Sequence, residues 1–175
     1  LILRDELNHI EITHLDTLWI LAPDEGITLL NIPSEDGKTT NNQKFLQHLI
    51  FSPDKSAKLA ISNSAGIETI LRGIVPLEIY PSAPEAALSA QAIAARGTLI
   101  AQIGRRHLAD PYHVCNLQHC QVHAGAGAAK QSSDIAIKKS SGEILFYDQK
   151  IVQSYYSSHC GGFSANAQST WAIPN

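Results

Sequence analysis

Three short segments hold the side chains whose types and spacing could do chemistry. In the first, Glu78 lies within Leu71-Arg72-Gly73-Ile74-Val75-Pro76-Leu77-Glu78-Ile79-Tyr80-Pro81, with apolar neighbours on both sides. A carboxyl group in an apolar setting has its ionised form disfavoured and keeps its proton toward neutral pH. A general acid that cleaves a glycosidic bond needs that property. A surface glutamate on a turn is the plainer reading of the same residues. In the second segment, two cysteines and three histidines fall between His113 and His123. Zinc takes cysteine sulfur and histidine nitrogen in fours, so Cys115, His119 and Cys120 with Cys160 could supply a site. A Cys115–Cys120 disulfide in an oxidising compartment accounts for the same thiols, as do two packed thiols beside surface histidines. The third segment is Tyr155-Tyr156-Ser157-Ser158-His159-Cys160-Gly161-Gly162-Phe163. Cys160 beside His159 invites a nucleophile reading, but adjacent residues of an extended chain face opposite ways, which leaves His159 badly placed as a base. The paired glycines mark a sharp turn or a close approach by backbone or ligand. Gly125-Ala126-Gly127 lacks the third glycine of a dinucleotide fingerprint and reads as a loop.

These segments need elements to position them. From Ala83 to Ala101, eight of nineteen residues are alanine, which predicts a helix. Ser82 with Glu85 three residues on has the capping-box pattern, and Gly104 provides a stop. Leu88, Ala92, Ala95 and Leu99 form one face at helical spacing, rich in small residues and suited to close packing. Ahead of the helix, 9–13, 17–21 and 27–32 read as strands, with Asp24-Glu25-Gly26 as a hairpin signal between the last two. Residues 33–43 read as a polar loop and 58–62 as a further strand. The apolar run 67–75 is too short to type from its periodicity. Beyond the helix, 134–138, 143–147 and 150–156 read as strands. Strands, one long alanine-rich helix and strands again predict an α+β fold of short strands and hairpins. The expected division is a β-rich portion over 1–64 and a core over 65–175.

At 175 residues the chain suits one full-sized domain or two small ones. It is 44% hydrophobic and 17% charged, which excludes disorder. Thirteen Lys and Arg against sixteen Asp and Glu leave a net charge of −3, without the basic footprint of a nucleic-acid binder. No apolar run approaches the ~20 residues of a membrane span. The chain opens at Leu1, contains no methionine and ends at Asn175 without a terminating signal, so it is expected to be a fragment, truncated at its C-terminus and separated from an export signal or anchor.

Taken together and in order, the three segments resemble the SpoIID/LytB domain, the family of sporulation stage II protein D and the amidase-enhancer proteins. The stretch LRGIVPLEIYPSAPEAALSAQAIAAR from Leu71 to Arg96 looks like the family's LRGVVPSEMPxSWPxEALKAQAVAAR pattern. VCNLQHCQV from Val114 looks like its VCxxxxCQV segment, and Ser157 to Ser164 is similar to its SxCGG turn. The resemblance implies an extracytoplasmic lytic transglycosylase. Such an enzyme cleaves the bond between N-acetylmuramic acid and N-acetylglucosamine in peptidoglycan and leaves 1,6-anhydro ends. It implies Glu78 as the single acid/base, since the substrate's own C6 hydroxyl replaces the second carboxylate of ordinary glycosidases. It also implies substrate contacts from Arg96, Gln91, Gln121, Ser157, Ser158, Gly161 and Gly162. Arg96 alternatively orients Glu78 or, as a buried arginine, satisfies loop carbonyls. A structural zinc on Cys115, His119, Cys120 and Cys160 is implied through those members that bind one, with none needed for the chemistry, and the disulfide stays open. The amidase-enhancer branch implies an alternative, a non-catalytic wall-binding module that activates a partner cell-wall amidase. Leu77, Tyr80, Gly97 and His123 depart from the family's usual residues.

Overall fold

The computed structural model describes residues 2–4, 9–11, 17–33, 38–157, 159–166 and 170, with backbone alone at 2–4 and 9–11. The architecture is α+β, as expected. Strands come first. β1 (Ile2–Arg4) pairs antiparallel with β2 (His9–Glu11). β3 (Leu18–Leu21), β6 (His48–Pro53) and β7 (Leu59–Ser64) form an antiparallel sheet in the order β3-β6-β7. Its register sets Leu18 opposite Phe51 and Phe51 opposite Ile61, and Leu49 and Phe51 are buried. β4 (Ile27–Pro33) and β5 (Thr40–Phe45) form a separate hairpin.

Helices follow. α1 (Ile67–Leu71), the single turn α2 (Val75–Glu78), the long α3 (Glu85–Gln102) and α4 (Gln131–Lys139) surround one apolar core. Leu71, Ile74, Val75, Ala92, Ala95, Leu99 and Ile137 make that core. The small residues of the α3 stripe let α1, α2 and α4 approach closely, and Leu88, Ala92, Ala95 and Leu99 are all buried as the spacing predicts. A 3₁₀ turn, η1 (Ala126–Ala128), and the two-residue strands β8 (Phe146–Tyr147) and β9 (Lys150–Ile151) complete the described elements. The strand portion meets the helical core where Phe45 of β5 stacks on His123, with ring centres 6.4 Å apart.

Several expectations are corrected. The segment 134–138 is not a strand but the middle of α4. Its Ile-Ala-Ile alternation is misleading, because the buried set Ser133, Ala136, Ile137 and Ser140 follows helical spacing while Ile135 is exposed. Asp24-Glu25-Gly26 does not close a hairpin between β3 and β4, since β3 pairs with β6 and β4 with β5. The polar run Thr40-Asn41-Asn42-Gln43-Lys44-Phe45 is strand rather than loop, held by its ladder to β4 despite its weak β propensity. α3 begins at Glu85 after Pro84, with no side-chain cap. Glu85 instead reaches Lys139 of α4 at 2.6 Å.

Gly97 does not interrupt α3. A Cβ there would stand 3.0 Å from the Val152 carbonyl oxygen, so the glycine admits the chain just past β9. One residue on, the Thr98 hydroxyl donates to the Ser154 carbonyl at 3.1 Å. These two contacts lay residues 152–154 along α3 and bring Tyr156 to the end of α2.

Candidate active site and metal centre

Glu78 closes α2, the single helical turn that begins Val75-Pro76. Ile79 is extended (φ −139°, ψ 140°) and packs against the core, so Glu78 and Tyr80 project to the other side. Leu77 and Tyr80 are exposed and Glu78 is half-buried. Burial raises the Glu78 carboxyl above the usual carboxylate range, and a hydrogen bond from the Tyr156 hydroxyl partly offsets the rise. Burial likewise pushes the Tyr156 hydroxyl up, so it is protonated and able to donate. Gln121, buried, donates through Nε2 to the Tyr156 oxygen at 3.0 Å. Gln91 of α3 acts on the same hydroxyl. Glu78, Tyr156, Gln121 and Gln91 thus form one polar cluster, of which Tyr156 is absent from the sequence expectations. The doublet Tyr155-Tyr156 just ahead of the SxCGG turn was the available signal.

Arg96 is not at the surface of this cluster. Its side chain is 2% exposed, and its guanidinium grips Glu68 of α1 with Nε to Oε1 at 2.9 Å and Nη2 to Oε2 at 2.8 Å. Nη1 donates to the Glu143 carbonyl and Nη2 to that of Ile137. Buried and engaged in four hydrogen bonds to protein groups, Arg96 is a tie between α1, α3 and the end of α4 in place of the expected substrate contact. Burial would raise Glu68, but the Arg96 hydrogen bonds and charge outweigh it and hold the carboxyl below its ordinary range. Glu68→Ala leaves a buried guanidinium without its counter-ion. Since the Glu68 side chain is itself 35% exposed, the expected loss is toward the low end of that for a broken buried pair, about 2–3 kcal/mol. Urea unfolding at pH 7 measures it, and a loss under about 0.5 kcal/mol would contradict this role. The pair's contribution is present above the ordinary carboxylate range and is lost as pH falls through the lowered Glu68 value.

The SxCGG turn stands apart. Ser157, Gly161 and Gly162 are exposed, and their described polar contacts stay within the turn: Ser157 Oγ to the His159 carbonyl, Gly161 N–H to His159 Nδ1 at 2.9 Å. Gly161 (φ +64°) and Gly162 (φ +100°) make the sharp turn their sequence predicts. Ser158 lies outside the described residues.

A second cluster gathers His107, Cys115, His119 and Cys120, whose nitrogen and sulfur atoms all lie within 4.8 Å of one another and could hold a metal ion. Both cysteines are free thiols, so the disulfide alternative is not what the structure contains. Cys160 is exposed and outside the cluster, and His107 takes the fourth position. His107 lies eight residues ahead of Cys115, outside the dense Cys/His segment 113–123. The signal for it was Asp110 three residues on. His107 Nδ1 meets Asp110 Oδ2 at 2.9 Å, which leaves Nε2 facing Cys120 Sγ at 3.4 Å. That hydrogen bond holds Asp110 below its ordinary value, and Lys55 reaches the other carboxylate oxygen at 3.4 Å. Arg106 donates to the His119 carbonyl. His123 belongs elsewhere. It packs half-buried against Gly73, where a Cβ would fall 2.5 Å from its Nε2, and loss of solvent around the ring lowers it to about 4.

Comparison with known proteins gives these clusters a context. The family model described as stage II sporulation protein, SpoIID, matches residues 55–147, more than half the chain. The chain belongs to the SpoIID family. Membership in it suggests a role connected with the cell wall. The SpoIID match takes in Glu78, all four residues of the Cys/His cluster, α3 and α4, and stops short of Tyr156. A similar curated protein is an uncharacterized one from Brachyspira hyodysenteriae, 30% identical over 149 residues, or 85% of this chain. The chain spans 39% of that relative's length. No solved structure matches. Among the described residues, no helix is long and apolar enough to cross a membrane.

Proposed function

We propose that this SpoIID-family chain is a lytic transglycosylase acting on peptidoglycan outside the cytoplasm, with Glu78 as its acid and base. The observation that carries this reading is the Glu78 environment: burial raises its carboxyl above the ordinary range, and Tyr156, rather than a second carboxylate, tunes it. A paired-acid glycosidase relies on two carboxylates, one of which activates water or attacks the sugar. A single acid suits a reaction in which the sugar supplies its own nucleophile. Protonated Glu78 gives its proton to the glycosidic oxygen as the C1–O bond of the N-acetylmuramic acid breaks. The resulting carboxylate takes the proton of the C6 hydroxyl on the same sugar while that oxygen bonds to C1. The 1,6-anhydro ring closes, Glu78 regains a proton, and no water is consumed. The exposed side chains of Leu77 and Tyr80 flank Glu78 as an apolar and aromatic surface on which a sugar ring can lie.

Incubating the purified chain with purified sacculi tests this. Soluble muropeptides should accumulate with time. If none appear, and release by an added amidase is accelerated instead, the non-catalytic enhancer takes its place.

Tyr156→Phe isolates the tuning. Losing the donor hydroxyl should lower kcat about tenfold, the worth of one such hydrogen bond. It should also raise Glu78 further, because the bond favours the carboxylate. The step needs protonated Glu78, so activity falls as pH rises through its value, and the variant's alkaline limb should move to higher pH. A pH–rate profile unmoved from wild type would count against the assignment.

The Cys/His cluster is proposed as a structural zinc site of two sulfurs and two nitrogens. A tetrahedral ion about 2.3 Å from sulfur and about 2.0 Å from nitrogen spaces those donors about 3.5 Å apart. The observed separations are 3.4 Å for Cys120 Sγ to His107 Nε2, 3.5 Å for Cys120 Sγ to His119 Nδ1 and 3.7 Å for Cys115 Sγ to His119 Nδ1. Asp110, bonded to the far nitrogen of His107, fixes the ring's tautomer, as carboxylates commonly do for zinc-binding histidines. Four protein donors leave no open position, so zinc would brace the 107–120 loop and not enter the reaction.

A further inference from the structure

We propose that Gln121 is a positioning residue, not a substrate contact: it holds the Tyr156 hydroxyl on Glu78, and the Cys/His cluster holds Gln121. The inference rests on the reading of Glu78 as the catalytic acid and adds to it the group that sets the acid's hydrogen bond. Gln121 is 5% exposed, too deep for a glycan strand to reach, yet its Nε2 lies 3.0 Å from the Tyr156 oxygen. A hydroxyl has one proton to give. When Glu78 is a carboxylate it can only accept, so Tyr156 must donate to it. The Tyr156 oxygen is then free to accept, and Gln121 must present its amino group. The chain of donation therefore runs one way, from Gln121 to Tyr156 to Glu78.

Tyr156 needs such a holder. It lies in an irregular segment whose last backbone tie to α3 is at Ser154, the residue is more than a third exposed, and Gln91 of α3 acts on its hydroxyl beside Gln121. Gln121 is fixed from its other side. It directly follows Cys120, which faces His107 and His119 at 3.4 and 3.5 Å, and two residues on the His123 N–H donates to the Asn116 carbonyl at 3.2 Å. The Gln121 Oε1 atom is buried with no hydrogen-bond partner. Such an orphan costs stability, and it is retained here where the amino end of the same amide is engaged with the acid's partner.

The test combines two substitutions with a direct titration of the acid. Gln121→Leu removes the donor. Gln121→Glu keeps the shape but turns the donor into an acceptor that draws the Tyr156 proton away from Glu78. Carbon-13 NMR of labelled glutamate carboxyls follows Glu78, assigned by its absence from Glu78→Gln. Both variants should raise the Glu78 titration midpoint, Gln121→Glu more than Gln121→Leu. In a Tyr156→Phe background the neutral Gln121→Leu should not move it further, because the link is already cut. On glycan strands, kcat should fall about tenfold for Gln121→Leu, with KM within about twofold of wild type. Chelating metal from the wild type should raise the midpoint, and doing so in Gln121→Leu should not. A midpoint unchanged in Gln121→Leu, or shifted equally with and without the Tyr156 hydroxyl, would overturn the proposal. The titration needs no turnover, so a chain that releases no muropeptides would sink the transglycosylase reading alone.

Discussion

Glu78→Gln is expected to reduce muropeptide release from sacculi by about 10²- to 10⁴-fold, the usual contribution of a general acid. Glutamine keeps the shape and can still meet Tyr156, but it has no proton to give the leaving oxygen and cannot take one from the C6 hydroxyl. Loss of activity must be separated from loss of fold, and the electrostatics supply the control. Burial raises Glu78 in the folded chain. A carboxyl raised on folding binds more protons folded than unfolded, so it lowers stability as pH climbs past its unfolded value. At neutral pH the neutral glutamine removes that penalty. The variant should therefore unfold at the same temperature as wild type or a higher one while being nearly inactive. An inactive variant with a lowered midpoint would indicate structural damage instead, and a fully active one would exclude Glu78 as the acid.

Metal removal is expected to have the largest effect on stability. An ion that binds only the folded chain stabilises it by about 4 kcal/mol at a thousandfold excess over its dissociation constant, which for a chain of this size corresponds to about 10 °C in Tm. Protein purified without chelator should carry close to one zinc per chain, and chelation should lower Tm by that amount. The composition of the site gives a sharper test. His107→Ala should lose the zinc, because it removes one of four clustered donors, whereas Cys160→Ser should keep it, because that thiol stands outside the cluster. Retention by His107→Ala together with loss in Cys160→Ser would restore the ligand set that the sequence implied. A chain without metal, indifferent to chelator, would remove the zinc centre altogether.

What could be read from the sequence was what its local composition decides. Eight alanines in nineteen residues need little tertiary help to form α3, and the buried stripe follows from its spacing. The half-buried setting of Glu78 was legible in its apolar sequence neighbours, of which Val75 is buried and Ile79 packs against the core. α4 was not, because the choice between alternation and helical spacing in Ser133-Asp134-Ile135-Ala136-Ile137 is made by packing on α3. Nor was β5, a polar segment that is strand only because β4 pairs with it. Partners remote in sequence were the hardest to read. Glu68 neutralises Arg96 across 28 residues, and the contact decided between a substrate ligand and a buried tie. Tyr156 meets Gln121 across 35 residues. His107 stands only eight residues from Cys115, but a looping chain, not a regular element, carries it back to the cysteines.

The transglycosylase reading makes one claim that no hydrolase, enhancer or passive wall binder shares: the bond is broken without water. Digesting purified glycan strands in ¹⁸O-labelled water and weighing the products by mass spectrometry tests it most directly. The account predicts muramic ends 18 Da lighter than the corresponding reducing ends, about the mass of one water, with no ¹⁸O incorporated and the yield from Glu78→Gln at least about a hundredfold lower. Reducing ends carrying ¹⁸O would contradict it, because they would mean that water, not the sugar's own C6 hydroxyl, attacks C1.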